Sequence, residues 1–217
     1  MLFGTMKVVD NELTIGGLKA SELIKKHGSP LYVFDKSHLE NMIDTFQTHF
    51  KSELFSGYVA YASKTFLTKK MAKLVQDRNM HIDLVSLGEM YTAKKAGFHM
   101  ENALFHGNNK SYQELEYALK SNVGIIVVDN KYELADLIEL TSKRKQKIKT
   151  LLRVNPGVEA HTHEYIITAK LTSKFGESIF DDASLDEVIA LYKQSQFVSL
   201  EGFHCNIGYK VFEESSF

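Results

Sequence analysis

One cysteine, Cys205, is all the sulfhydryl chemistry this 217-residue sequence offers. No disulfide can form within the chain, which fits a reducing compartment. An excess of either charge is missing too. Lys and Arg number 26 against 27 Asp and Glu, for a formal net charge of −1. That leaves no electrostatic case for nucleic acid or an anionic membrane surface as partner. Long apolar runs are absent. Stretches such as Gly124-Ile125-Ile126-Val127-Val128 fall far below the ~18 residues that a membrane span needs. The opening residues, Met1 to Lys7, show no basic region followed by an apolar one. No signal peptide is expected, and a cytoplasmic location is. Nowhere does a Gly-x-Gly-x-x-Gly fingerprint follow an apolar run, so a dinucleotide-binding sheet is not indicated.

What is present is ordinary globular material. The chain is 44% hydrophobic and 24% charged, enough for one sizeable core. Short apolar runs of β-type residues recur: Tyr58–Ala62, Ile82–Val85, Ala103–Phe105, Ile125–Val128, Leu151–Val154 and Leu200–His204. Several are continuous rather than alternating, as strands covered on both faces should be. Helical spacing fills the intervals. Leu39, Met42, Ile43 and Phe46 form one apolar stripe. Leu67, Met71, Leu74 and Val75 form a second, and Leu185, Val188, Ile189 and Tyr192 a third. These are read as core stripes. Ser86/Glu89, Ser111/Glu114 and Ser184/Glu187 have capping-box spacing, and Asn130/Glu133 is a looser version. The basic run Lys143 to Lys149 is read as a solvated helix C-terminus, where cations complement the helix dipole.

Strand and helix in steady alternation predict an α/β fold with a parallel sheet. Six such units in series favour a (β/α)₈ TIM-type barrel, incomplete at about six units, over an open doubly wound sheet. The segment Val8 to Ile15 and the apolar run Leu31–Phe34, read as a strand, precede the first unit. The expected division is residues 1–35 as a flanking segment and 36–217 as the partial barrel. An eight-unit barrel takes ~250 residues, so the chain is expected to be C-terminally truncated.

Catalytic groups of such barrels stand at the C-terminal ends of the strands. Here those positions hold Lys64, Asp83, His106, Asp129, Arg153 and His204 to Asn206. Lys64 is the most suggestive. Against apolar strand residues its charged form would be desolvated and its pKa should fall, making it an amine nucleophile for Schiff-base chemistry. The plain structural alternative is a lysine snorkelling to solvent. A metal-dependent hydrolase is a rival reading, with His161-Thr162-His163 as an H-x-H pair and His106, His204 and Cys205 as further ligands. No metal is expected.

Tyr61-Ala62-Ser63-Lys64 resembles the cofactor-lysine strand of the fold-type III pyridoxal-phosphate decarboxylases. Asp83-Leu84-Val85-Ser86-Leu87-Gly88-Glu89, His106-Gly107-Asn108-Asn109-Lys110-Ser111 and Arg153-Val154-Asn155-Pro156-Gly157 resemble later strand ends of that family, in order. His161 to Ile166, with Ser173-Lys174-Phe175-Gly176, is similar to the diaminopimelate decarboxylase branch rather than the ornithine or arginine branches. The resemblance implies a carboxy-lyase that uses pyridoxal 5′-phosphate to turn meso-diaminopimelate into L-lysine, with Lys64 carrying the cofactor. It also implies that Arg153 lies near the cofactor ring, that Asp83 supports the lysine, and that Asn206 and Gly208 border the cofactor. A homodimer is implied for full-length members. Three departures accompany it. Asn206 and Tyr209 replace a ring-stacking histidine and a phosphate-binding serine, and Ala169 replaces a glycine. The family's glycine-rich loop, its Glu-x-Gly-Arg segment and its C-terminal β-domain are not found in these residues. A catalytically inactive homologue acting only through protein contacts is the non-enzyme alternative.

Overall fold

The structure is a computed structural model that describes residues 2–157 and 175–206. His161, His163, Ala169, Gly208 and Tyr209 lie outside the described residues. By packing, the chain divides into two units, Met1–Val59 and Ala60–Phe217.

In the first unit, β1 (Lys7–Val9), β2 (Glu12–Ile15) and β3 (Leu18–Lys19) form an antiparallel sheet. Both hairpin turns need two consecutive residues at positive φ. Asp10-Asn11 (φ 50° and 60°) and Gly16-Gly17 (φ 60° and 80°) supply them. Helices α1 (Ala20–His27) and α2 (Lys36–His49) follow. Asp35 caps α2 by accepting from the His38 backbone N–H at 3.0 Å. Its other oxygen accepts from Thr5 N and Thr5 Oγ1. These bonds hold the Asp35 carboxyl below its usual range, the Thr5 hydroxyl most of all. Two expectations fail in this unit. Leu31–Phe34 is not a strand: no described strand pairs with it, and all four side chains are exposed. An apolar run is only half of a strand; the other half is a neighbour's ladder of backbone donors and acceptors. Of the stripe on α2 only Ile43 is buried, and Met42 and Phe46 are exposed.

The second unit carries the six expected strands. In chain order β4 (Ala60–Ala62), α3 (Lys69–Asp77), β5 (His81–Leu84), α4 (Leu87–Lys95), β6 (Ala103–Phe105), α5 (Tyr112–Lys120), β7 (Ile125–Val128), α6 (Lys131–Arg144), β8 (Ile148–Asn155), the short β9 (Glu177–Ser178), α7 (Asp182–Gln194) and β10 (Val198–His204) succeed one another. The sheet order is β10-β8-β7-β6-β5-β4, every neighbour parallel. The order never reverses, so the crevice of a doubly wound sheet is not formed. Successive helices α3 to α7 each pack on the next, as a single layer outside a barrel wall requires. Among the described residues no helix is long and apolar enough to cross a membrane.

Alternation along each strand sorts the side chains. Ile82, Leu84, Phe105, Ile126, Val128 and Leu152 are fully buried; each contributes roughly 1.5–3 kcal/mol by leaving water. With them are buried Val75, Met90, Leu115, Leu119, Leu134, Leu137 and Val188 from the helices. Residues of the opposite parity, Asp83, Leu104, Ile125 and Lys149, share one register row on the other face.

Helix starts follow the local signals with one exception. Ser111 and Glu114 make a complete capping box, and Ser86 and Asn130 cap α4 and α6. The expected Ser184/Glu187 box is not made. Helix α7 begins three residues earlier, capped by Asp181, whose Oδ1 accepts from Ser184 N at 3.1 Å. Ser184 Oγ instead donates to Glu177 Oε2 at 2.7 Å, and Glu187 pairs with Lys131 Nζ at 2.6 Å. The basic run is likewise divided. Helix α6 ends at Arg144, Lys145 turns left-handed (φ 50°), and Ile148-Lys149 already belongs to β8.

Asp181→Ala should lower stability by about 1 kcal/mol in urea unfolding, and Ser184→Ala, which removes only a half-exposed hydrogen bond, by less. The reverse ranking would return the helix start to Ser184.

Candidate active site

The C-terminal ends of the six parallel strands bring together most of the residues expected there. Asp83 on β5 and the residue after β6, His106, face each other, Nδ1 to Oδ2, at 3.5 Å. His106 meets His204 at the end of β10 edge to face, with ring centroids 4.6 Å apart. Asp129 follows β7 directly, and its Oδ1 accepts from Arg153 Nη1 at 3.1 Å, with both side chains buried. The Arg153 guanidinium lies 4.5 Å from the Phe175 ring centroid. Gly176 (φ 70°) allows that approach, since a Cβ there would stand 2.9 Å from the Arg153 carbonyl oxygen.

His204 owes its place to an irregularity. Leu200 is the register partner of Thr150, but Gly202 partners Leu151, so one extra residue sits in β10 at Glu201. A one-residue bulge exchanges the two faces of a strand. Beyond it His204 pairs with Arg153 and shares its face.

Lys64 stands in a 3₁₀ turn, Ser63–Thr65, directly after β4. The Tyr61 hydroxyl donates to the Phe66 carbonyl oxygen at 2.7 Å and closes that turn. The expected burial of Lys64 against strand residues does not occur: the side chain is exposed. The turn lifts it past the last strand residue, while Ser63 takes the buried position. Register sets Ala62 opposite Asp83, so Lys64 follows on the strand next to Asp83. Asn206 is half-buried two residues beyond His204, and Cys205 is exposed. Among the described residues no cluster of three or more His, Cys, Asp or Glu side chains is arranged to hold a metal ion.

Two buried ring nitrogens, His106 Nε2 and His204 Nδ1, have no hydrogen-bond partner among the described residues. Buried polar atoms are rarely left so. Together with an exposed amine at Lys64, they fit a flat, polar guest that carries a carbonyl carbon.

The model of the family described as pyridoxal-dependent decarboxylase, pyridoxal binding domain, matches residues 37–217. The chain belongs to this family. It is 42% identical to diaminopimelate decarboxylase of Bacillus methanolicus, over 99% of this chain and 50% of that protein. It is 43% identical to that of Bacillus subtilis, over 94% of this chain and 46% of that protein. The crystal structure of M. jannaschii diaminopimelate decarboxylase in complex with L-lysine superposes with a TM-score of 0.85 at 28% identity, covering 94% of this chain and 48% of that one. The chain spans about half the length of the curated relatives it matches.

The family's pyridoxal-binding fold also encloses a pair that sequence reading did not single out. Lys110, in the loop after β6, sets its Nζ 2.7 Å from Glu133 Oε1 in the first turn of α6, with both side chains nearly inaccessible. Burial pushes the Glu133 carboxyl up to about 7 and the Lys110 ammonium down. Two charged residues 23 positions apart give no periodic signal; Glu133 alone reads as a capping residue of α6, and Lys110 alone as a surface residue.

Burial, His106 and Arg153 lower the His204 imidazole to about 4, against a smaller upward pull from Asp83. Its folded value lies below the ordinary 6.5. The unfolded chain therefore binds more protons between these values, and the contribution of His204 to stability is complete above pH 6.5 and lost as pH falls toward 4. Glu133 has the opposite sign. Its contribution is complete below the ordinary 4.5 and lost as pH rises through about 7. The windows overlap, so a residue-specific probe is needed. In histidine ring NMR, His204 should stay neutral at pH 6 and titrate near 4; titration at its ordinary value would mean the ring is solvated.

Proposed function

We propose that the chain carries the pyridoxal 5′-phosphate site of a carboxy-lyase of the diaminopimelate decarboxylase type, acting on meso-diaminopimelate to give L-lysine and CO₂. One observation carries the reading. At the strand ends of a family barrel stand an exposed lysine, Lys64, directly after the strand beside Asp83, an Asp83–His106 contact, and a second imidazole, His204. The M. jannaschii relative solved with L-lysine supports an amino-acid ligand.

Bound there, the cofactor supplies the electron sink that decarboxylation needs. The chain's own residues do the rest. Lys64, held by the Tyr61–Phe66 bond at the rim, presents an amine able to bond to the cofactor's carbonyl carbon. Arg153, fixed by Asp129 and Phe175, would present a cation near the cofactor ring. Asp83 keeps the Nδ1 side of His106 occupied, which leaves Nε2 facing other groups. Asn206, half-buried beyond His204, borders the cofactor, and Gly208, the other residue expected to do so, lies outside the described residues. Residues 36–217 form the cofactor-bearing barrel portion and residues 1–35 flank it, a division supported by the family match that starts at residue 37. The working protein is a cytoplasmic homodimer. The metal-hydrolase reading has its H-x-H pair outside the described residues and gains no support from those described.

Borohydride reduction in the presence of pyridoxal phosphate, followed by peptide mapping, should place the label on Lys64. Lys64→Ala should abolish both the label and the visible absorbance of bound cofactor. Labelling spread over surface lysines, or unchanged by Lys64→Ala, would sink the assignment.

A further inference from the structure

The cluster of buried charge behind the site is larger than the site needs. Lys110, Glu133, Asp129 and Arg153 are between 2 and 8% exposed. They come from three successive βα units. Lys110 belongs to the loop after β6, Asp129 to the β7–α6 connection, Glu133 to the first turn of α6, and Arg153 to β8. Two cations face two carboxylates. Lys110 Nζ meets Glu133 Oε1 at 2.7 Å, and Arg153 Nη1 meets Asp129 Oδ1 at 3.1 Å. Lys110 and Arg153 also feel each other's charge.

Lys110 has a second partner. Its Nζ donates to the Gly107 carbonyl oxygen at 2.7 Å, so the side chain folds back over the loop that starts at His106. Gly107 has φ 146°, a conformation glycine adopts readily and other residues do not. The His106 backbone N–H donates to Leu84 O at 2.8 Å, which ties the start of the loop to β5. Between these two bonds His106 has little freedom. Glu133 in turn fixes the far end of Lys110 to the helix that starts just after Asp129. The pair thus spans the mounting of His106 and the mounting of the Asp129–Arg153 pair.

Stability alone does not account for it. A buried ion pair is often matched or surpassed in stability by apolar side chains of similar volume. What such a replacement cannot do is hold a carbonyl and a carboxyl at fixed points. One Glu133 oxygen, Oε2, has no hydrogen-bond partner among the described residues, so the carboxyl is set for its bond to Lys110 rather than for full satisfaction.

We propose that Lys110 and Glu133 are positioning residues for the pyridoxal phosphate site: their buried bond holds the β6–α5 loop against α6 and so fixes His106 and the Asp129–Arg153 pair relative to each other. The proposal rests on the cofactor reading above. It is separable from it, because the geometry it describes exists without cofactor.

The double variant Lys110→Met/Glu133→Leu tests it in the whole protein. It should unfold cooperatively with a midpoint near wild type, yet bind pyridoxal phosphate about tenfold more weakly in an absorbance titration, as when a group that orients a ligand-binding side chain is lost. The absorbance band of its bound cofactor should shift. Without cofactor, the Arg153 guanidinium and His106 ring signals in nitrogen NMR should move or broaden. Glu133→Gln, which keeps shape and an acceptor, should show the same changes with smaller amplitude and stands in if the double variant does not fold. Normal folding with unchanged Arg153 and His106 signals would overturn the proposal. So would unchanged cofactor affinity and spectrum in a wild type that binds. A wild type that binds no pyridoxal phosphate would overturn the functional reading instead, while the cofactor-free signals would still decide the positioning role.

Discussion

Everything in the second unit depends on the parallel ladder being laid down in chain order. When each strand pairs with its predecessor in the same direction, all strand C-termini come to one edge, and every connection delivers its next residues there. Side-chain alternation then divides the labour without further instruction. One parity supplies Ile82, Leu84, Phe105, Ile126 and Leu152 to the core under the helices. The other parity leads to Asp83, Leu104, His106, Asp129 and Arg153. The polar residues cluster because the strands run together, although at least 20 residues of chain separate one from the next along the sequence.

Gathering so many ionisable groups at a buried edge has an electrostatic cost, and the structure distributes it by pairing. Asp129 meets Arg153, Glu133 meets Lys110, and Asp83 meets His106. The two histidines meet each other instead, and burial with neighbouring positive charge keeps His204 neutral.

The order of elements was legible because its signals are local. Continuous β-type runs gave all six strands, and Ser111/Glu114 gave a helix start that the structure reproduces bond for bond. Lys64 could be set at a strand end, but its exposure could not, since that depends on a 3₁₀ turn closed by Tyr61. Signals of equal local quality misled where a competitor stood nearby. Asp181 caps α7 as well as Ser184 would, and three residues sooner. Leu31–Phe34 has strand composition but forms no part of the described sheets. Lys110 and Glu133 were beyond reach for the opposite reason: their meaning lies in a contact between a loop and the start of a helix that only the completed sheet brings face to face.

The extra residue at Glu201 has a consequence for how this chain is compared with others. It acts as a phase shifter. Ahead of it, β10 is in step with β8 as counted from Val198; behind it, the count is advanced by one. Equivalence around His204 and Asn206 is therefore counted back from the strand's exit, not forward from its entrance. Two chains with the same letters here, one with the additional residue and one without, would show opposite sides of the same motif to the interior.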